Sequence, residues 1–410
     1  MLGLPTNYWR LWGASAASNL ADGLFSIALP LLAVRLTDSP ILIAGLAIAG
    51  RLPWLVFVLV AGALADRLDR RITMRNVQLF RVAMLVVLTV LAVVDGLTLP
   101  ILYVAAFALG VGETLFDTAA QSILPSIVDK DRLATANGRL YAVELVMNQF
   151  VGPPLGGVLI GISVPLVLAT SVVGYALAAV GLTLIVGSFR PVRTGPPTRI
   201  TTDIAEGLRY LWRNRVLRTM AIMVGVANLA GTATQAVFVL YAVRPGPMDL
   251  AEPAFGLLLT AFAIGSLLGS LVAAPLETRF GRVPVLFVSV AIMAVSFAIP
   301  AFTTNPFIIG AVWITAGVFL VVWNIITVSL RQRIVPDQLL GRVNAGYRLF
   351  AWGTQPIGAL LGGIVGELLG LQAVFLLAGA SALLLLLARL VIDERAIAAA
   401  EAEGQLAAAA

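Results

Sequence analysis

The stretch from Gly62 to Arg71 reads Gly-Ala-Leu-Ala-Asp-Arg-Leu-Asp-Arg-Arg, and it joins an apolar run at 41–65 to a second one at 74–94. The small Gly62 lets a neighbouring helix approach closely, and Asp66 can face a helix N-terminus. The arginines can pair with carboxylates at the inner ends of adjacent helices. The spacing predicts a polar loop that holds one conformation of a membrane protein closed. A plain positive-inside loop is the alternative interpretation.

The rest of the chain is as apolar as the helices that flank this loop. The 410 residues are 60% hydrophobic and only 12% charged, with a mean hydropathy of +0.99, whereas soluble domains are about 25% charged. We therefore expect an all-α integral membrane protein with twelve spans of about 20 residues. The predicted spans are 11–34, 41–65, 74–94, 99–123, 138–162, 165–187, 217–243, 254–276, 284–303, 306–330, 343–366 and 371–392.

Basic residues predict the orientation of these spans, because cytoplasmic loops carry an excess of arginine and lysine. Of the 27 basic residues, all except Arg35, Arg51, Arg81 and Arg244 fall in segments on one side of the membrane. That side is the cytoplasm, and both termini are expected there. The net charge of +6 is thus a topology signal, and no nucleic-acid partner is predicted.

The chain is expected to divide into two pseudo-symmetric six-helix bundles. The segments are an N-terminal bundle at 1–187, a cytoplasmic linker with an amphipathic helix at 188–215, a C-terminal bundle at 216–392 and a tail at 393–410, whose end from residue 401 is expected to be disordered. The halves also repeat: the segment from Ile127 to Arg139 resembles the one that starts at Ile334, and Gly156-Gly157 matches Gly362-Gly363. Such duplication is common in transporters, with the substrate site between the halves.

The loop at 62–71 resembles the signature G-x-L-a-D-r-x-g-r-r of the major facilitator superfamily, with Asp69 in place of a glycine. The resemblance covers essentially the whole chain and is closest to the macrolide, multidrug and siderophore exporters, as in Phe116-Asp117-Thr118-Ala119. It implies the major facilitator fold and a conformational switch. The switch residues are Gly62, Asp66, Arg67, Arg70, Arg71 and Arg81.

The fifth span carries a second motif, Gly152-Pro153-Pro154-Leu155-Gly156-Gly157. It resembles the antiporter motif of the superfamily, with Asn148 where the first glycine is usual, and the resemblance favours export. Glycines permit close helix packing and proline kinks a helix. Generic packing of small residues is the alternative role for Gly152, Pro153, Gly156 and Gly157.

Several charged residues lie inside predicted spans, where each costs about 2.5–3.5 kcal/mol on insertion scales. Glu113 and Asp117 are four residues apart and share a helix face. Both should not ionise easily in a low dielectric, so one of them is expected to carry a proton. The candidate residues for proton coupling or substrate binding are Asp22, Glu113, Asp117, Glu144 and Arg51. Satisfied ion pairs, such as Asp117 with Arg81, are the structural alternative.

Polar residues concentrate in spans one, four, seven and ten, which line the central cavity in the superfamily. Besides the acids, the predicted lining residues are Asn19, Asn228, Gln235, Trp323 and Asn324. Asparagines in spans also form plain interhelical hydrogen bonds.

The sequence predicts a proton-coupled exporter of amphipathic or lipophilic small molecules, such as drugs or siderophores, that works by alternating access as a monomer in the bacterial inner membrane. No enzyme, cofactor or metal site is predicted, because Cys and His are absent and Lys130 is not in a P-loop. A lipid or lysolipid flippase, an uptake symporter, and a channel or non-transporting receptor are the alternatives.

Overall fold

The computed structural model describes residues 4–57, 68–129, 132–187, 189 and 200–409. Helices dominate these ranges, and the β-structure found within them is an isolated bridge between Val243 and Leu250. The predicted all-α class is confirmed.

The first half of the chain contains helices α1 to α6. Their bounds are Thr6–Val34 for α1, Pro40–Val56 for α2, Arg70–Val93 for α3, Leu99–Ile123 for α4 and Val164–Thr183 for α6. Between them, α5 is built from three consecutive pieces, which are Leu133–Leu145, a π-helical turn at Val146–Val151, and Gly152–Ile162.

The second half continues with α7 to α14. The helices are α7 (Ile200–Arg213), α8 (Arg215–Ala242), α9 (Glu252–Phe280), α10 (Arg282–Ala298), α11 (Pro306–Ile334), α12 (Asp337–Leu369), α13 (Leu371–Leu384) and α14 (Glu394–Ala409). Helix α7 lies where the sequence predicts the amphipathic linker helix. Its Leu211 is fully buried, and the hydroxyl of Tyr210 donates a hydrogen bond to the carbonyl oxygen of Ile334 at 3.1 Å.

Ten helices in the described ranges are long and apolar enough to cross a membrane. The two other predicted spans correspond to α2 and α12. Helix α2 is a shorter apolar helix, and the remainder of its predicted span, up to residue 65, lies outside the described residues. Helix α12 has 33 residues and contains the whole predicted span 343–366. The helices are thus consistent with twelve spans.

Local sequence signals explain where several helices begin and end. Proline occupies the first turn of α2, α4, α6 and α11, where its missing N–H has no intrahelical partner to lose. Gly281 and Gly370 adopt φ values of 81° and 85° at the junctions α9–α10 and α12–α13. Residues other than glycine rarely adopt this left-handed backbone conformation. Each glycine therefore allows one helix to end and the next to begin.

The chain divides into two compact units. Unit 1 comprises Met1–Thr194 and Val239–Thr260, and unit 2 comprises Gly195–Phe238 and Ala261–Ala410. One hydrophobic cluster in unit 1 is formed by the first turns of α1 and α3 and the last turns of α4, with Tyr8, Leu11 and Met74 among its buried members. A larger cluster in unit 2 includes Val322 and Trp323.

The prediction that the C-terminal tail is disordered from residue 401 is wrong. Residues up to Ala409 form α14, whose Ile397 and Ala400 are 3% and 4% exposed. Glu401 pairs with Arg282 at 3.1 Å, and a Cβ on Gly404 would lie 2.1 Å from the carbonyl oxygen of Ile334. These four residues follow the i, i+3, i+4, i+7 spacing of one helix face, and that face of α14 packs against the rest of unit 2.

Candidate functional site

The centre of the candidate site is a carboxylate–guanidinium pair inside unit 1. Asp22 lies on α1 and Arg81 on α3, and the Arg81 Nη1 is 3.4 Å from the Asp22 Oδ1. The Arg81 side chain is only 1% exposed, whereas that of Asp22 is 20% exposed. A buried guanidinium in a membrane protein needs a negative partner, and Asp22 supplies it.

A second acceptor and two aromatic rings complete the surroundings of Arg81. Its Nη1 lies 3.4 Å from the hydroxyl oxygen of Ser18. The guanidinium carbon is 5.0 Å from the ring centroid of Tyr175 and 5.7 Å from that of Phe116. Cations are attracted to aromatic faces at such distances, the more so when water is excluded. The charge is therefore held in one place by groups from α1, α4 and α6.

Three uncharged residues in this network were not predicted from the sequence. The Tyr175 hydroxyl donates to the Asp22 Oδ1 at 2.6 Å, and the Ser18 hydroxyl lies 3.5 Å from the Asp22 Oδ2. The Gln78 Nε2 donates to the Ser18 Oγ at 2.8 Å. Two sequence signals were available, since Ser18 lies one helical turn before Asp22 and Gln78 lies three residues before Arg81. Tyr175 had no comparable signal.

Small residues allow the helices that carry the network to approach one another. A Cβ on Gly112 of α4 would lie 3.2 Å from the Arg81 Nε, and one on Gly174 of α6 would lie 2.9 Å from the Ala21 Cβ. Larger side chains at these positions would push α4 away from Arg81 and α6 away from α1. The spacing of polar groups thus depends on glycines beside them.

The other predicted acids surround this pair on α4 and α5. Glu113 interacts electrostatically with Asp22, Arg81, Arg51 and Glu144, and Asp117 interacts with Glu113, Asp22 and Arg81. Both α4 acids are partly exposed, whereas Glu144 on α5 and Arg51 on α2 are exposed. The ion pair that the structure gives Arg81 is with Asp22, and not with Asp117 as the structural alternative supposed.

The antiporter motif packs directly beside Asp22. A Cβ on Gly152 would lie 2.6 Å from the Gly23 Cα, and one on Gly156 would lie 3.2 Å from the Leu24 carbonyl oxygen. The π-helical turn ends at this point, where the Gly152 N–H donates to the Met147 carbonyl oxygen, and Pro153 and Pro154 follow without an N–H to give. The motif therefore brings α5 into contact with α1 at the residue next to the acid.

The opposite side of the same motif contacts the start of α9, which also belongs to unit 1. A Cβ on Gly157 would lie 2.5 Å from the Glu252 carbonyl oxygen. The carboxylate of Glu252 pairs with Arg35 at 2.9 Å, and the Arg35 Nη2 also lies 3.4 Å from the Ile160 carbonyl oxygen. Glycines at 152, 156 and 157 thus serve two helix contacts at once.

Part of the loop motif can be placed. Gly62, Asp66 and Arg67 lie outside the described residues. The Asp69 Oδ1 accepts a hydrogen bond from the Ile72 N–H at 3.1 Å and so caps α3, while its Oδ2 accepts one from the Phe189 N–H at 2.9 Å. Burial acts to raise the pKa of Asp69, but these backbone donors and Arg71 outweigh it and hold the pKa below its ordinary value. The residue that departs from the signature thus ties α3 to the segment after α6.

The two arginines that follow Asp69 also bind beyond α3. The Arg71 Nη1 donates to the Ile185 carbonyl oxygen at 2.5 Å, and the Arg70 Nη1 lies 3.4 Å from the Ser126 hydroxyl oxygen. Both contacts join α3 to segments that follow other helices of unit 1. Both of these contacts are to uncharged oxygens, and the pairing of the motif's arginines with carboxylates stays a prediction.

The predicted lining residues have different environments. Asn19, half-buried on α1, donates from its Nδ2 to the Ser15 carbonyl oxygen at 2.9 Å, and Asn228 likewise donates to Ala351 at 2.8 Å. Gln235 and Asn324 are exposed. Trp323 is 3% exposed within the hydrophobic core of unit 2, so its prediction as a cavity-lining residue is wrong for this conformation. A large aromatic side chain gains more by burial among apolar neighbours.

Among the described residues, no group of three or more acidic side chains has the arrangement of a metal site. Asp22, Glu113 and Asp117 are instead grouped around the buried Arg81. The net charge of such a group of side chains changes when one of its acids takes up or releases a proton.

Comparison with known proteins identifies the family. The model of the family described as transmembrane secretion effector matches residues 5–409. The chain belongs to this family of major facilitator transporters. It is accordingly a transporter and not an enzyme, and its helices make it a multi-pass membrane protein.

This chain is also similar to individual proteins whose names describe efflux. It is 29% identical over 379 residues to the multidrug efflux pump Tap of Mycolicibacterium fortuitum, covering 88% of this chain and 90% of that one. It is 21% identical over 384 residues to the macrolide efflux protein A of Streptococcus pyogenes, covering 91% and 92%.

Solved structures show the same fold. A mutant of the nucleoside transporter NupG superposes with a TM-score of 0.74 at 15% identity, covering 94% of this chain and 99% of that one. A bacterial homologue of the iron transporter ferroportin, in its inward-facing state, gives a TM-score of 0.73 at 14% identity, with coverages of 96% and 98%. The major facilitator fold predicted from the sequence is confirmed.

Proposed function

We propose that this transporter is a proton-coupled antiporter that exports amphipathic or lipophilic small molecules by alternating access. It would act as a monomer in the bacterial inner membrane, with both termini in the cytoplasm. The observation that carries the proposal is the Asp22–Arg81 pair with further acids around it. Charged groups are costly in a membrane, and those that are kept often serve ion or substrate handling.

The proposed cycle begins with protons from outside reaching Asp22 and Glu113. A protonated Asp22 no longer balances the charge of Arg81, so the electrostatic energy of the network changes with each proton bound. Asp117, Glu144 and Arg51 would adjust this balance. Release of the proton to the cytoplasm would then restore the Asp22–Arg81 pair.

Two further elements would link the charge change to the opening of the protein. The loop at 62–71 would hold the inner side closed in one conformation, and the antiporter motif would keep α5 against α1 beside the proton site. Substrate would enter from the cytoplasm or the inner leaflet. The names of the efflux relatives support the direction of transport and the broad class of substrate.

The experiment uses everted membrane vesicles, in which export becomes uptake into an acidic lumen. Ethidium and erythromycin serve as probes, the second because one relative is named as a macrolide efflux protein. Wild-type protein should accumulate at least one probe, and nigericin, which removes the pH gradient, should stop the accumulation. Asp22→Asn and Glu113→Gln should abolish it at normal expression, whereas Asp38→Asn, at an exposed loop position, should not.

Other outcomes would replace the proposal. Full gradient-driven uptake by both Asp22→Asn and Glu113→Gln would refute the assignment of the proton site. Movement of a fluorescent lysophospholipid without dependence on the gradient would indicate a flippase, and accumulation in right-side-out vesicles would indicate an uptake symporter.

A further inference from the structure

Tyr175 is the uncharged residue most closely joined to the proposed proton site. Its hydroxyl donates to the Asp22 Oδ1 at 2.6 Å, shorter than the 3.4 Å between the same oxygen and Arg81. Its ring also lies 5.0 Å from the Arg81 guanidinium. Tyr175 is 2% exposed, so water does not compete for either contact. One side chain therefore touches both members of the charged pair.

The neighbouring sequence positions Tyr175 for this contact. Gly174 precedes it on α6, and a Cβ there would lie 2.9 Å from the Ala21 Cβ and 3.0 Å from the Ala17 carbonyl oxygen. The absence of a side chain lets α6 lie against α1 on the turn that carries Asp22. The phenol then reaches the carboxylate directly.

The charged groups around Asp22 come from α3, α4 and α5, whereas α6 contributes the uncharged Tyr175. Arg81 is on α3, Glu113 and Asp117 are on α4, and Glu144 is on α5. Arg51 on α2 acts on Glu113. Tyr175 differs from all of these groups because it stabilises the ionised carboxylate through a donated hydrogen bond without adding a charge of its own.

We propose that Tyr175 is a positioning residue for proton exchange, which holds the Asp22 carboxylate against Arg81 and so sets the pH range over which the transporter works. This inference rests on the proposed function. The hydroxyl favours the ionised carboxylate, since a donor bound to a charged group stabilises it more than it stabilises the neutral acid. The ring holds Arg81 through its face, and this contact persists when Asp22 is protonated.

Tyr175→Phe separates these two contributions, because phenylalanine keeps the ring and removes only the hydroxyl. The matched control is Tyr8→Phe, since Tyr8 is also buried in unit 1 and its hydroxyl bonds to the Ala136 carbonyl oxygen at 3.0 Å. Efflux of the transported probe is measured in vesicles with equal pH on both sides, from pH 5 to pH 9. Solvent isotope effects in D₂O are measured at each pH.

The acidic limb of the Tyr175→Phe profile should move towards alkaline pH by about one to two units, because a hydrogen bond to a charged group contributes about 1.5–3 kcal/mol and one pH unit corresponds to about 1.4 kcal/mol. The maximal rate should stay within about threefold of wild type, since the Arg81 contact remains. Tyr8→Phe should leave the profile in place. A Tyr175 with a purely structural role would lower the rate equally at all pH values.

An unchanged profile in Tyr175→Phe, or an equal shift in Tyr8→Phe, would overturn the inference. Asp22→Asn distinguishes this failure from failure of the proposed function. If Asp22→Asn abolishes pH-dependent efflux while Tyr175→Phe behaves as wild type, the positioning role is wrong and the proton site stands. If Asp22→Asn itself is fully active, both are wrong.

Discussion

Removing the guanidinium of Arg81 should destabilise unit 1 more than removing both members of its ion pair. In Arg81→Met the carboxylate of Asp22 loses its partner at 3.4 Å. Breaking a buried pair from one side costs about 3–5 kcal/mol. Because the Asp22 side chain is 20% exposed, we take the lower end, about 3 kcal/mol. At about 2–4 °C per kcal/mol for a unit of this size, Tm should fall by roughly 6–12 °C.

The double variant Asp22→Asn with Arg81→Met should recover most of this loss, because no uncompensated charge remains. Thermal unfolding in detergent can be followed by intrinsic fluorescence from the 7 tryptophans. The double variant should still fail to transport the probe, which separates stability from coupling. A Tm for Arg81→Met equal to that of wild type would refute the reasoning. So would a double variant whose loss equals the sum of the two single losses, because the side chains would then not interact.

Two further predictions concern the start of α3 and the C-terminal helix α14. Asp69→Ala should lower stability by about 1 kcal/mol at pH 7, since it removes the cap of α3. The pKa of Asp69 is lower in the folded state, so its contribution to stability is complete above the unfolded pKa of about 3.9 and is lost as the pH falls through the folded pKa. The melting temperatures of the variant and of wild type should therefore converge at that low pH. A difference that stays constant with pH would contradict this. Glu401→Gln should lower the Tm of unit 2 by about 2–4 °C, because it removes about 1 kcal/mol of ion pairing with Arg282. The control Glu403→Gln, at an exposed position, should leave the Tm unchanged. Equal Tm values for the two variants would exclude a stabilising role for the Glu401 ion pair.

The fold could be predicted from the sequence because hydropathy and composition act over every span. A bilayer requires about 20 apolar residues per helix and satisfied backbone hydrogen bonds, so the helices leave a strong signal. The tail was missed because its packing depends on a few residues. Ile397, Ala400 and Gly404 form a short apolar face that has a partner only after α10 and α11 are in place.

Only the charged residues of the candidate site could be predicted from the sequence. Asp22 and Arg81 are unusual within spans, and their cost makes them visible in the sequence. Tyr175 was missed because a tyrosine within an apolar span carries no such cost, and its role depends on the approach of α6 to α1. Trp323 was misplaced for a related reason, since the same aromatic residue suits a cavity wall and a core.

The buried polar groups of the two units differ in a way that bears on the proposed mechanism. Among the side chains whose burial the structure describes, the buried charged ones are Asp69 and Arg81, both in unit 1. In unit 2 the buried polar side chains are Ser289, Ser296 and Thr327, and each hydroxyl donates to a carbonyl oxygen of its own helix.

A hydroxyl bonded to its own helix satisfies itself without joining a network, whereas Arg81 is balanced only by groups from other helices. A change in protonation therefore alters contacts between the helices of unit 1, whereas the unit 2 side chains whose burial is described include no buried charge. Although the sequence of the two halves shares a repeated pattern, this asymmetry supports a division in which unit 1 responds to protons. On that basis the acids of α1 and α4, and not their counterparts in sequence, are where coupling should be sought.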